Sequence, residues 1–264
     1  MTKDEEILMR SNEFRKDYVD HTPDWYRGEY HLAFTVIFTG AVFINSLLRI
    51  HDATVAEWLM VIPMFLFGNW AEWAGHRYLL HRPTKLMKTA YKRHVSVHHQ
   101  FFTNRTLQYA GQRDWRALLF PPFAPVLFVL SALPIALLAG FLWSPNAGHI
   151  VMLTISGYYM MYEGLHTLSH IENNSFLDRL PLVNSVRRMH ILHHNPDFMS
   201  ARNFNLTFPI CDALFGTSDL DRGLWGTLFN GMSNDAMRAG DRARLERQFE
   251  ERDRLPDANP ASAQ

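Results

Sequence analysis

The stretch ALLFPPFAPVLFVLSALPIALLAGFLWSPNAGHIVMLTISGYYMMY, Ala117 to Tyr162, contains no Asp, Glu, Lys or Arg. As helix, at about 1.5 Å per residue, its 46 positions reach about 70 Å, enough to cross a hydrocarbon core of about 30 Å twice. Ser144, Pro145, Asn146, Ala147 and Gly148 fall near its middle, where a turn between two helices belongs. The stretch reads as a membrane hairpin of two helices.

Two earlier runs resemble it: Leu32 to Leu48, and Val55 to Ala71, the second interrupted only by Glu57. Both are close to the lower length for a span, and each contains an Asn, at 45 and 69; a buried core helix is the competing reading. The slightly negative mean hydropathy of the whole chain does not argue against spans, because its polar residues are concentrated in particular segments. The expected architecture is all-α: about four transmembrane helices and a cytosolic helical cap. A polar N-terminal segment (1–30) precedes the membrane-embedded domain (31–232), and a charged tail (233–264) follows it. Within the tail, Arg238 to Arg254 mixes charges of both signs and reads as a solvated helix, with Pro256 to Gln264 frayed. Asp4, Glu5 and Glu6 precede any apolar run, so the N-terminus does not read as a cleavable signal.

Charge sets the sidedness. The 26 basic and 26 acidic residues leave no net field to attract nucleic acid. Between His76 and Arg116, however, Arg77, Arg82, Lys85, Lys88, Lys92, Arg93, Arg105 and Arg113 face a single acid, Asp114. With four crossings, the positive-inside rule puts the N-terminus, this stretch and the C-terminal region on the cytoplasmic side.

That face would then carry ten of the chain's 14 histidines, in four clusters: His76 and His81; His94, His98 and His99; His166 and His170; His190, His193 and His194. The other four, His21, His31, His51 and His149, stand alone and read as ordinary surface or core residues. At about 100° per helical residue, His166 and His170 align, and so do His94 and His98, with His99 turned toward a possible second ion. His190, His193 and His194 share an arc of about 100°, suited to one metal, whereas His76 and His81 align poorly and Pro83 follows them.

One cysteine, Cys211, excludes an internal disulfide framework and an all-thiolate site. Imidazole suits Zn, Fe, Cu and Ni. The H-E-x-x-H spacing is absent, and the soluble di-iron pattern of paired E-x-x-H helices is met only by Glu163 to His166. There are too many ligands for one four-coordinate structural zinc, so two closely spaced metals fit better. A ligating imidazole commonly gives its second N–H to a carboxylate or carbonyl; Glu72, Glu163 and Asp197 are the candidates, with Asn203 and Asp212 behind them.

The motifs H-R-Y-L-L-H at His76 to His81, H-V-S-V-H-H at His94 to His99, H-T-L-S-H at His166 to His170 and H-I-L-H-H at His190 to His194 resemble the histidine boxes of the fatty acid hydroxylase and sterol desaturase superfamily. The run F-P-I-C-D-A-L-F-G-T, Phe208 to Thr217, is similar to that superfamily's segment after its last box. The resemblance covers about Asn69 to Thr217. It implies a membrane-bound non-haem enzyme whose ten histidines hold two Fe ions, with O2 as co-substrate, a lipid substrate drawn from the bilayer and a separate electron-donor protein. It implies hydroxylation or desaturation of an unactivated C–H bond, with the box spacing favouring hydroxylation. Zinc in such a site would be redox-inert.

Trp70, Trp73, Tyr91, Phe101, Phe102 and Tyr162 lie near the clusters, as lining of a lipid slot or as an interfacial belt. Two other classes remain in view. A metal transporter would need ionisable ligands near the bilayer midplane, which the hairpin lacks. A zinc hydrolase acting on a lipid ester or amide would need a carboxylate base, which Glu72 or Glu163 could supply.

Overall fold

The uncharged stretch folds as two helices meeting at a tight turn. In the computed structural model, which describes residues 3–253 apart from 86 and 172–175, α-helices and short π- and 3-10 turns account for all regular structure. Among the described residues there is no β-strand, only an isolated bridge between Leu220 and Met237. The principal helices are α1 (Lys3–Asp20), α2 (Gly28–Leu48), α3 (Val61–Ala74), α4 (Ala124–Leu142), α5 (Pro145–Ser169), α6 (Val183–His193) and α7 (Ala239–Asp253). The α7 bounds agree with the solvated helix read from the charge pattern; Pro256 to Gln264 lies outside the described residues.

The hairpin turn has a definite chemistry. Ser144 is extended and its Oγ accepts from the Ala147 N–H at 3.1 Å, capping α5, while Pro145 occupies the first helical turn, where no donor is lost. Ser144 also donates to Glu57, whose other oxygen accepts from Thr54 N–H at 2.6 Å in a capping box. Asn146 exchanges two bonds with the His51 backbone, 2.8 and 3.2 Å. Glu57 thus closes the end of the bundle away from the histidine clusters. At Gly148 an added Cβ would stand 2.7 Å from the Ala136 carbonyl, so the α4–α5 crossing requires glycine there.

α5 is the central element, packed against α2, α3, α4 and α6. Among the described residues two helices are both long and apolar enough to cross a membrane, α2 with 21 residues and α4 with 19, and most of their large side chains point outward. The other two runs read as spans differ from that pattern. α3 has 14 residues, about 21 Å of α-helix; it begins at Val61, after a short helical turn at Val55–Trp58, and runs directly into the π-turn Gly75–Leu80. α5 is long enough with 25 residues, but Ser156, Tyr158, Tyr159 and Glu163 are buried against its neighbours, so its apolar character is diluted where it serves the core.

The N-terminal segment is more than a polar leader. α1 lays Phe14 and Tyr18 on a core of Phe101, Phe102, Leu107, Ala117 and Leu118, which forms the floor beneath one part of the histidine cluster.

Candidate metal centre

Each histidine pair spaced by five residues sits on a π-turn. Gly75–Leu80 and Lys92–His98 are π-helical, and in them His81 N–H bonds to His76 O and His99 N–H to His94 O, an i to i+5 closure that widens the turn by one residue. The spacing that misaligns His76 and His81 on an α-helix therefore brings both side chains to one place. The helix ends just after Leu80, with His81 as its C-cap, two residues before Pro83.

The nitrogens converge in two groups. Ligand atoms of His76, His81, His94, His99 and His193 all lie within 4.8 Å of one another, and so do those of His98, His166, His170 and His190. In the first group His94 Nε2 is 2.9 Å from His76 Nε2, and 3.1 Å from both His81 Nε2 and His99 Nε2. In the second, His170 and His190 Nε2 are 2.8 Å apart and His98 and His166 Nε2 3.3 Å. His194 stands between the groups, its ring 4.3 Å from that of His99 and 4.4 Å from that of His190.

This grouping departs from α-helical arc arithmetic at two clusters. His94 shares its group with His99, while His98 faces the other group, because the π-turn moves residue i+5 to where i+4 would have been. His190 and His193 also part company, so α6 serves both groups rather than one metal. His166 and His170 do fall together.

Tautomers follow from the backbone. His76, His98, His170 and His193 donate Nδ1–H to the carbonyls of Phe204 (2.7 Å), Ala117 (3.0 Å), Leu107 (2.7 Å) and Arg202 (2.8 Å). His194 Nδ1–H goes to Phe102 O. Each of these rings then presents an Nε2 with a bare lone pair. Burial pushes His98 down to about 3 and His81 to about 2, and lowers His94, His99, His190, His193 and His194, so protons do not fill the centre at neutral pH. Bare nitrogens about 3 Å apart in a buried space repel one another unless a cation lies among them. His194 Nε2 is buried and has no hydrogen-bond partner among the described residues. The donor set fits a metal ion in each group.

Among the described residues, none of the three carboxylates nominated from sequence joins either group. Glu72 accepts from Tyr158 Oη–H, Leu206 N–H, Thr207 N–H (3.1 Å) and Thr207 Oγ1–H (2.6 Å). Glu163 accepts from Tyr159 Oη–H at 2.9 Å and Phe120 N–H at 3.3 Å, leaving Oε2 without a hydrogen bond. Asp197 accepts from Gln248. The Nδ1–H groups of His76, His98, His170, His193 and His194 go to backbone carbonyls, the other usual partner, whereas Nδ1 of His81, His99, His166 and His190 has no hydrogen-bond partner among the described residues.

Those carbonyls belong to irregular segments that are themselves gripped. Asp212 accepts from Phe204 N–H (3.0 Å) and Asn205 N–H (2.7 Å), and Asn205 donates to Asn69 O at 3.0 Å. Asn203 takes the left-handed conformation, φ 57°, and bonds Asp219, which is itself paired with Arg188 at 2.7 Å; both partners are buried. Asn69, Arg188 and Asp219 carry no sequence signal that separates them from ordinary core polar residues. Phe101, Phe102 and Trp73 are buried, so they are not interfacial; Trp70 is 47% exposed, as a belt residue would be.

Fold and donor set together define a helical protein with two buried histidine groups, each with a donor set suited to a metal ion. The chain belongs to the fatty acid hydroxylase family: that family's model matches residues 61–217, more than half the chain and all four histidine clusters. No curated protein and no solved structure matches it. Membership makes the protein an oxidoreductase of the lipid hydroxylase and desaturase type, and makes iron the expected metal.

Proposed function

We propose that the protein is an integral, multi-pass membrane di-iron oxygenase that hydroxylates an unactivated C–H bond of a lipid chain, fatty acyl, sphingolipid or sterol-like. The observation that carries this reading is the pair of buried histidine groups, with five and four converging nitrogens, inside the segment matched by the family. When bound, two irons supply the reduction of O2 and the oxidation of the C–H bond. The chain's own part is to hold His76, His193, His170, His194 and His98 in one tautomer through the Phe204, Arg202, Leu107, Phe102 and Ala117 carbonyls, and to keep water out with the buried Phe101, Phe102 and Phe204 rings.

The outward apolar faces of α2 and α4 support residence in a bilayer, and we place α3 and α5 across it beside them, with the histidines at the cytoplasmic side. The substrate enters laterally from the membrane and its headgroup sets which methylene lies beside the metals. Electrons come from a separate carrier protein.

The test is anaerobic reconstitution with ferrous iron, then lipid analysis after exposure to 18O2 and a reductant. A lipid bearing one labelled hydroxyl is expected. A new double bond without label makes the protein a desaturase of the same family. Neither product in iron-loaded, reduced protein overturns the reading.

A further inference from the structure

Residues 101–109 lie between α1 and two of the histidines, and are bonded on both sides. On the α1 side, Ser11 donates to Phe101 O at 3.4 Å and its Oγ lies 2.8 Å from Thr106 Oγ1. Arg15 donates to Thr106 O at 3.4 Å and to Gln108 O, and its guanidinium stands 4.7 Å from the Phe101 ring centroid and 3.6 Å from the Asp114 carboxylate. On the histidine side, Phe102 O accepts from His194 Nδ1–H, and Asn104 N–H returns to His194 O at 3.3 Å. Leu107 O accepts from His170 Nδ1–H at 2.7 Å, and Tyr109 N–H returns to His170 O at 3.1 Å.

The carbonyls of three consecutive residues alternate. Thr106 and Gln108 face Arg15, and Leu107 between them faces His170. A guanidinium suits this arrangement because its rigid fork can reach two carbonyls at once, which an ammonium cannot do in the same geometry. The carbonyls that orient the other histidine group, at Arg202 and Phe204, belong instead to the segment held by Asp212 and Asn203.

We propose that Arg15 is a positioning residue for the His98, His166, His170 and His190 group: by fixing the Thr106 and Gln108 carbonyls it sets the Leu107 carbonyl that orients His170. The proposal rests on the two-metal reading. It gives α1, which lies outside the family-matched residues, a part in the metal centre.

The experiment titrates the full-length, detergent-solubilised, metal-stripped protein with Co(II), following the visible spectrum and the bound stoichiometry. The wild-type chain should hold two ions. Loss of a partner that orients a ligand typically costs 10- to 100-fold in metal affinity, so Arg15→Ala should weaken one ion at least about tenfold and leave the other within about twofold. Arg15→Lys, which keeps the charge, should behave like Arg15→Ala and serves as the test if the alanine variant does not fold.

Background variants identify the affected ion. Adding Arg15→Ala to His166→Ala, where the second group is already disabled, should change nothing further, whereas adding it to His76→Ala should weaken the remaining ion by the same factor of at least about ten. Equal weakening of both ions, or full retention of both, overturns the proposal. A wild-type chain that holds one ion overturns the two-metal reading itself, and that result is visible before any Arg15 variant is made.

Discussion

His94 and His99 are five residues apart in sequence, yet their Nε2 atoms lie 3.1 Å apart, with the His99 N–H bonded to the His94 carbonyl across a π-turn. His94 Nε2 also has His76 and His81 within about the same distance, which makes it the hub of its group. Removing the hub leaves the remaining nitrogens without their common neighbour.

His94→Ala is therefore expected to release the ion of its own group and to lower activity by at least about 100-fold, with the His98, His166, His170 and His190 group still loaded. His193→Ala should do the same. His51→Ala and His149→Ala, remote from both groups, should leave metal content unchanged. Elemental analysis of purified protein checks all four, and full metal retention in His94→Ala would remove that residue from the site.

Glu72 is expected to matter through the Leu206–Thr207 backbone. Glu72→Ala leaves two buried N–H groups and the Tyr158 hydroxyl without their acceptor, at about 1–3 kcal/mol for each orphaned group. Its melting temperature should fall by several degrees, at about 2–4 °C per kcal/mol for a chain of this size. Glu72→Gln, which keeps one carbonyl oxygen, should lose less. If Glu72 merely faced lipid headgroups, both variants would melt with the wild type.

How much of this was legible depends on which physical signal each part leaves in the sequence. The hairpin at Ser144 to Gly148 was, because an uncharged run broken by turn residues admits few other readings. The convergence of nine of the ten clustered histidines was, because imidazole clusters are chemically distinctive. Their division into groups was not: a π-turn has no residue signature here, and one extra residue per turn moves His98 to one ion and His99 to the other. The partners of the imidazoles were invisible for a different reason. For five of the rings they are the carbonyls of Phe102, Leu107, Ala117, Arg202 and Phe204, a group every residue carries. The marginal length of the run that holds α3, and its Asn69, did show in the sequence; the polar side of α5 did not, since the demands of the core on Tyr158 and Glu163 are set by tertiary contacts.

Acid should destabilise the metal-stripped protein. Burial holds His81 at about 2 and His98 at about 3, against an ordinary value of 6.5 in the unfolded chain. Between those limits the unfolded chain binds more protons than the folded one. The stability these residues contribute is thus complete above about pH 6.5 and is lost as pH falls, by up to about 1.4 kcal/mol per pH unit for each histidine. Denaturant unfolding of stripped protein from pH 8 to pH 5 should show the decline; a flat profile would mean that these imidazoles are hydrated in solution.

The four-span arrangement makes a prediction about sidedness that the single cysteine makes convenient to read. In a Cys211→Ser background, a cysteine at Asn146 in the α4–α5 turn should react with a membrane-impermeant maleimide from the side opposite the histidines, and one at Lys88 or Lys92 from the histidine side. Phe141 and Leu137, 86% and 63% exposed on α4, face lipid in this arrangement. Phe141→Lys lies near the span end, where a lysine can extend toward the interface, and should be tolerated; Leu137→Lys lies deeper and should cost up to about 3 kcal/mol of insertion free energy, seen as loss of protein from the membrane fraction. Labelling of Asn146→Cys and Lys88→Cys from one and the same side would mean that α4 and α5 do not both cross. The charge asymmetry between His76 and Arg116 would then need another explanation, such as contact with an acidic partner or an anionic membrane surface.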